Sequence, residues 1–311
     1  MKKKIGLVVL GIVFFGMMVG NVFAAEWWKK FKIGPEFTWS TDQIQEWREI
    51  KVITFDAGGG NTGYNTTTIT YYPKIEGYHS PLYIGYEVFD NLDVYFKWGI
   101  ATLKNRIKAD GTYHTNIPAF SYESHGTLDW DVTCELKDSL GGLYGGGFNF
   151  NWLLPQDWLI KFGAEYLTQR NEIKSLEVKY KVYDETGTLV SEGRDYSDTA
   201  TGGVTLQQWK VTLTCAKKLK WFTPYLGVDY LGFNGDMKVI DPSISQTVFE
   251  KQGMGNRNPW RLVAGLDSNI WKFLVNIEFK VIPKFGVTDA IESKFSGGGP
   301  WAVSLKGYYL F

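Results

Sequence analysis

Long apolar runs, cysteine, histidine and net charge are all scarce in this chain. After residue 25 no run of 18 apolar residues occurs, so no segment reads as a transmembrane helix. Thirty-three basic residues balance 33 acidic ones. That balance argues against a nucleic-acid partner, which would call for a basic patch. Only Cys134 and Cys215 are present, too few for a disulfide framework. Both fall on the apolar parity of their segments and read as small hydrophobes. The three histidines, His79, His114 and His125, lie in predicted loops without the HExxH or paired spacing of a zinc site. GxSxG and phosphate-loop motifs are also missing. His125 with Ser121 or Ser124 is the single local pair resembling a rim hydrolase, and no third residue orients it. The expectation is a chain that is not an enzyme and holds neither metal nor cofactor.

What is abundant is aromatic residues, 16% of the chain, and glycine, 35 residues. The first long apolar run sits at the start. MKKK is cationic, IGLVVLGIVFFGMMVG is apolar, and NVFAA ends in small residues. This reads as a secretory signal peptide over 1–25, leaving 26–311 as one domain.

The rest of the chain alternates. In LDVYFKWGI, Val94, Phe96, Trp98 and Ile100 oppose Asp93, Tyr95 and Lys97. In WLIKFGAEYLTQ, Ile160, Phe162, Ala164 and Tyr166 oppose Lys161, Glu165 and Gln169. Trp209, Val211, Leu213 and Cys215 oppose Lys210, Thr212 and Thr214. The closing PWAVSLKGYYLF sets Trp301, Val303, Leu305, Tyr309 and Phe311 against Ser304 and Lys306. A period of two is a strand signal, because successive side chains point to opposite faces.

A sandwich and a membrane barrel share that alternation, and other features separate them. The segments run about 9–13 residues, long enough for a tilted membrane crossing and longer than most globular strands. Trp39, Trp98, Trp152, Trp158, Trp209, Trp260 and Trp301 sit at segment ends, as in interfacial girdles. Tight connections such as LPQD and KKLK alternate with the long polar stretches 171–203, 234–258 and 283–299. The expected fold is therefore an all-β, transmembrane antiparallel β-barrel with short periplasmic turns and long extracellular loops. Its place is the outer membrane of a Gram-negative bacterium.

Reading back from Phe311 gives strands at about 300–311, 272–282, 259–270, 221–233, 204–216, 158–170 and 142–153, and reading forward gives about 30–39, 47–56, 64–75, 82–89 and 92–104, about 12 in all with 12–16 open. TLDWDVTCEL at 127–136 alternates well and is left over. It either extends the 142–153 strand or pairs with a strand hidden in 105–120, which gives 14. Within 171–203, SLEVKYKV and GTLVSEG flank Asp184–Gly187 as a hairpin above the outer surface.

The polar parity supplies the candidate pore lining: Lys97, Lys161, Glu165, Lys210, Asp229, Arg261, Asp267, Glu278, Lys280 and Lys306. Lys32, Glu36, Glu87 and Asp93 extend it. Neither sign dominates, so strong ion selectivity is not expected. Inward glycines such as Gly85, Gly147 and Gly265 leave room for a pore or relieve curvature. Tyr309 and the terminal Phe311 resemble the C-terminal signature of outer-membrane barrels, which implies recognition by the barrel-assembly machinery.

One stretch is more specific. LQQWKVTLTCAKKLKWFTPYLGVDYLGFNGDMKVI, 206–240, resembles the penultimate region of the chlamydial major outer membrane protein family. There a strand with Trp, a basic turn and a TPY(I/L)GV strand follow in the same order. NLDVYFKWG at 91–99 and the segments at 143–152 and 158–169 resemble further strands of that family. The resemblance implies a porin, a passive diffusion channel for small hydrophilic solutes. That family is rich in cysteine and this chain is not, so its disulfide network is not carried over. The alternative is a non-conducting structural or adhesive barrel acting through its extracellular loops 105–125, 171–203 and 234–258. Expected partners are outer-membrane lipid, the assembly machinery and small solutes, with homo-oligomer formation left open.

Overall fold

The computed structural model describes residues 30–43, 47–137, 139–241, 246–255, 259–281 and 301–311. The expected signal peptide and the 283–299 connection lie outside them. Among the described residues, no helix is long and apolar enough to cross a membrane. The described residues form one antiparallel sheet of 14 strands. They are β1 (Phe31–Gln43), β2 (Trp47–Gly58), β3 (Asn61–Phe89), β4 (Leu92–Ile117), β5 (Tyr122–Leu136), β6 (Ser139–Leu153) and β7 (Trp158–Asp184). There follow β8 (Leu189–Ser197), β9 (Thr201–Lys217), β10 (Thr223–Asp241), β11 (Gln246–Gly255), β12 (Trp260–Ile270), β13 (Phe273–Val281) and β14 (Trp301–Leu310).

The pairing closes on itself. β1 pairs β3, β3 pairs β4, β4 pairs β6, β6 pairs β7 and β7 pairs β9. β9 pairs β10, β10 pairs β12, β12 pairs β13, β13 pairs β14, and β14 returns to β1. Ten strands thus make a ring without an edge, which satisfies every wall N–H and C=O inside lipid. The terminal strand β14 is the closing stave, in register with β1 from Lys32↔Leu310 to Thr41↔Trp301.

The remaining strands β2, β5, β8 and β11 do not belong to the ring. They pair with the upper halves of β3, β4, β7 and β10, which are far longer than a membrane crossing. The segments expected as separate strands at 64–75 and 82–89 are one strand, β3. The leftover 127–136 is β5, paired with β4 from Lys104↔Glu135 to Ile117↔Tyr122, so the second of its two expected placements holds. The expected hairpin on either side of Asp184–Gly187 is β7–β8. The described parts of 171–203 and 234–258 are thus largely paired strand.

The wall is apolar outward near the tight turns. Phe37, Phe96, Phe162, Leu213, Leu226, Ile277, Phe279 and Leu305 are all exposed, as a lipid-facing band requires. Aromatics bound the band on the extension side: Trp39 packs on Trp301 at 5.4 Å and Tyr230 on Trp260 at 5.1 Å, while Tyr166 faces Trp209 across the β7–β9 pair. On the turn side Tyr309 packs edge-on against both Phe273 (5.3 Å) and Phe311 (5.0 Å). The fold is a transmembrane β-barrel of the outer-membrane type.

Candidate functional site

The lumen of the ring is where the polar parity converges. β1 carries Lys32 and Glu36 inward; β4 carries Asp93, Tyr95 and Lys97; β7 carries Lys161 and Glu165; β9 carries Lys210. β10 contributes Tyr225 and Asp229, β12 Arg261 and Asp267, β13 Asn276, Glu278 and Lys280, and β14 Lys306 and Tyr308. Alternation fixes this face, since each is two residues, or a multiple of two, from its neighbours on the same strand.

These groups do not stand apart around open water. Lys97 bridges Glu36 (2.7 Å) and Glu165. Lys210 reaches the other oxygen of Glu165 at 2.7 Å. Lys280 bridges Asp229 (2.7 Å) and Glu278 (3.1 Å), and Lys306 stands 3.6 Å from Glu278. Tyrosine hydroxyls add to the carboxylates: Tyr95 donates to Glu165 at 3.1 Å, Tyr225 to Glu278 at 3.0 Å and Tyr308 to Glu36. Nearer the turns, Lys161 pairs with Asp267, whose second oxygen accepts from Asn276 at 2.6 Å. Lys32 pairs with Asp93 at 2.7 Å. Asp229 is fully buried and Lys97, Glu165, Glu278 and Lys280 nearly so. A buried charge is tolerated only when paired and hydrogen-bonded, and each of these is.

The cavities show what the layer does. A space of about 1260 Å³ extends from the turn residues Asp90, Asn91, Trp152 and Lys218 up to Lys97, Glu165, Lys210 and Glu278. On the other side of the same charges lies a space of about 80 Å³, between Thr38, His79, Gln208, Arg261 and Ser304. Above that, the strand extensions enclose an apolar core that includes Ile69, Leu103, Ile107, Cys134, Ile173, Phe233, Met237 and Val239. Among the described residues, the lumen is a vestibule open at the turn end, floored by a charged layer and capped by a hydrophobic one.

All ten candidate pore residues face the interior, and the structure joins Lys97, Glu165, Lys210, Asp229, Glu278, Lys280 and Lys306 in the layer. Lys161 and Asp267 line the vestibule below it, and Arg261 lines the small space above. The inward glycines do not widen a pore. A Cβ on Gly85 would lie 2.6 Å from the Tyr83 ring, and one on Gly265 would lie 2.3 Å from the Tyr225 ring. Their missing side chains let tyrosines lie across the wall and fill the lumen. Sequence reasoning left Tyr83, Tyr225 and Tyr308 out of the pore lining because it took only charged side chains of the inner parity as candidates. Their proximity to inward glycines on the same or the neighbouring strand was the available signal.

Cys134 is buried in the extension core and Cys215 is exposed on the lipid side, so both sit in apolar surroundings. Burial pushes the Cys134 thiol up to about 12.

No family model and no curated protein matches the chain, so the comparisons do not show the resemblance to the chlamydial family. Among solved structures, the β domain of the Bordetella autotransporter BrkA is similar at 12% identity and TM-score 0.33, covering 90% of this chain and 98% of that one. The Ralstonia pickettii toluene transporter TbuX is similar at 10% and 0.32, covering 89% and 90%. The translocator domain of the Neisseria meningitidis autotransporter NalP is similar at 10% and 0.28, covering 98% of both chains. At such scores the likeness carries no argument about function.

Proposed function

We propose that this chain is a non-conducting outer-membrane barrel that anchors an outward strand extension, and that the extension is its working part. The observation that carries this is the charged layer. Lys97, Glu165, Lys210, Asp229, Glu278 and Lys280 use their charges on one another across the lumen. An ion crossing there would have to break pairs held in a low-dielectric interior. The apolar core above would be a second barrier, since its side chains are mostly hydrocarbon. Ten ring strands also lie near the size at which side chains fill a barrel. The extension offers binding surface: a groove of about 770 Å³ between β5, β7 and β8 is lined by Trp130 and Tyr180 with Asp131, Lys179 and Arg194 at its rim.

The second reading is a passive porin for small hydrophilic solutes. The vestibule of about 1260 Å³ and its mixed-charge lining favour it, as does the resemblance at 206–240. Liposome swelling separates the two. Vesicles carrying the folded chain should keep their volume in isotonic arabinose as empty vesicles do. Rapid swelling would establish the porin and remove the closed barrel. In either case the barrel would reach the outer membrane of a Gram-negative cell after loss of residues 1–25, with the assembly machinery reading Tyr309 and Phe311.

A further inference from the structure

Near the tip of the extension, the β4–β5 hairpin brings together residues that are 11 and 7 apart in sequence. His114 lies directly across from His125, and Asn116 directly across from Glu123. Positions two apart on a strand share a face, so all four side chains project from the same side. The imidazole rings stack with centroids 4.3 Å apart and planes 2° from parallel. Potential ligand atoms of His114, Glu123 and His125 all lie within 4.8 Å of one another. Asn116 donates to one oxygen of Glu123 at 3.2 Å, and the other oxygen stands 3.9 Å from His125 Nε2. His114 Nε2 is buried and has no hydrogen-bond partner. A buried nitrogen without a partner is costly unless something binds its lone pair or its proton.

We propose that His114, His125 and Glu123 form a surface site for a borderline divalent transition metal, of which zinc and copper are the best matched. Two imidazoles and a carboxylate are the ligand set such ions prefer, whereas calcium and magnesium want oxygen alone. The hairpin register supplies preorganisation. A turn at Pro118–Phe120, followed by Ser121 in the left-handed region (φ 50°), fixes the return of the chain and so sets His114 against His125. Asn116 holds the Glu123 carboxylate by one oxygen and leaves the second free, the part an outer-shell partner plays at metal centres. The exposed His125 and Glu123 side chains can swing toward His114 to reach the about 2.0–2.2 Å bond lengths that zinc needs. Three protein ligands leave a coordination position open near the end of the β4–β5 hairpin, where water or a ligand atom from another molecule would sit.

Isothermal titration of zinc chloride into the chain lacking residues 1–25, folded in detergent and carrying no histidine tag, tests this directly. A single zinc ion per chain is expected. His114→Ala and His125→Ala should each weaken binding by about tenfold or more, and Glu123→Gln less. Excess calcium or magnesium should not displace the zinc. Heat-modifiable migration on a gel confirms that each variant is folded, and His125→Gln serves if the alanine variant is not. Cobalt in place of zinc should give a visible d–d absorption band that the His114→Ala variant lacks. Zinc binding that survives in the His114→Ala/His125→Ala double variant, or no binding to the wild-type chain, would leave the stacked pair as an ordinary cross-strand contact and overturn the site.

Discussion

The same strands build two opposite interiors. In the lower half of β4, Phe96 faces outward while Asp93 and Lys97 face in; ten residues further up, Ile107 faces in while Arg106 faces out. β7 behaves likewise: Phe162 is outside and Glu165 inside below, and Ile173 is inside with Glu172 and Lys174 outside above. In β10, Leu226 is exposed and Asp229 buried below, whereas Phe233, Met237 and Val239 are buried and Asp236 and Lys238 exposed above. The parity of the apolar residues switches near Ala101, Leu167 and Leu231. The backbone runs on without interruption, so the inversion lies in the side chains alone. It marks where the solvent outside the wall changes from lipid to water. A barrel in lipid must keep its polar groups inside, and the same barrel in water must do the reverse.

Substitutions in the two halves should therefore fail for different reasons. The largest effect belongs to the charged layer. Glu165→Ala leaves the buried Lys97 and the half-buried Lys210 without their shared carboxylate and should cost about 3–5 kcal/mol. Urea unfolding in lipid vesicles measures this, and a loss below about 1 kcal/mol would show that the layer is wetter than its burial indicates. Ile107→Ala, in the apolar core above, should cost about 2–5 kcal/mol through the cavity it leaves. Its effect should fall on protease resistance of the extension and leave the ring folded; collapse of the whole barrel would mean that the halves are one cooperative unit.

The lipid face gives a matched pair on one strand. Phe96→Arg should cost about 2–4 kcal/mol, because it places a charge against hydrocarbon. Lys104→Leu, on the outward face above the parity switch, should stay within about 0.5 kcal/mol. Equal penalties in a folding titration would place both residues in the same solvent and remove the proposed boundary.

The smallest effect is local and pH-dependent. The Thr186 hydroxyl donates to Asp184 at 2.7 Å, and the backbone N–H groups of Thr186 and Thr188 donate to the same oxygen at 2.9 Å. The Thr186 hydroxyl bond first, then the backbone donors, hold the Asp184 carboxyl below its usual value. A depressed folded value means the contribution is present above the unfolded-chain value and disappears as pH falls through the folded one. The β7–β8 turn should thus loosen only in acid, below the ordinary aspartate value of about 3.9. Faster amide exchange at Thr186 and Thr188 reads this out. Asp184→Asn should remove the dependence, and an unchanged profile in that variant would assign it elsewhere.

Much of the ring was legible in sequence. Period-two alternation located the lower halves of β1, β4, β6, β7, β9, β10, β12, β13 and β14, and placed Lys97, Glu165, Asp229 and Glu278 on the inner face. The extension was harder to read because its alternation is equally regular with the meaning of its faces reversed. Leu128, Trp130, Val132 and Cys134 look like one more membrane stave, yet β5 pairs with upper β4 and upper β7 outside the ring. Periodicity reports two faces and is silent about which solvent each meets. Pairing across the lumen was out of reach for a different reason. Lys280–Asp229 and Lys97–Glu36 join residues far apart in sequence, through ring curvature that a strand pattern does not encode. The balance of charges along the inner parity was the visible trace of that pairing.

The closure of the lumen is tested most directly by planar-bilayer recording of the chain lacking residues 1–25 in molar KCl, beside its Glu165→Ala/Lys97→Ala variant. A charged layer that seals the vestibule predicts a silent wild-type chain and a variant that leaks in brief, irregular openings. Stable stepwise openings from the wild-type chain would contradict it and establish an open channel through the same residues.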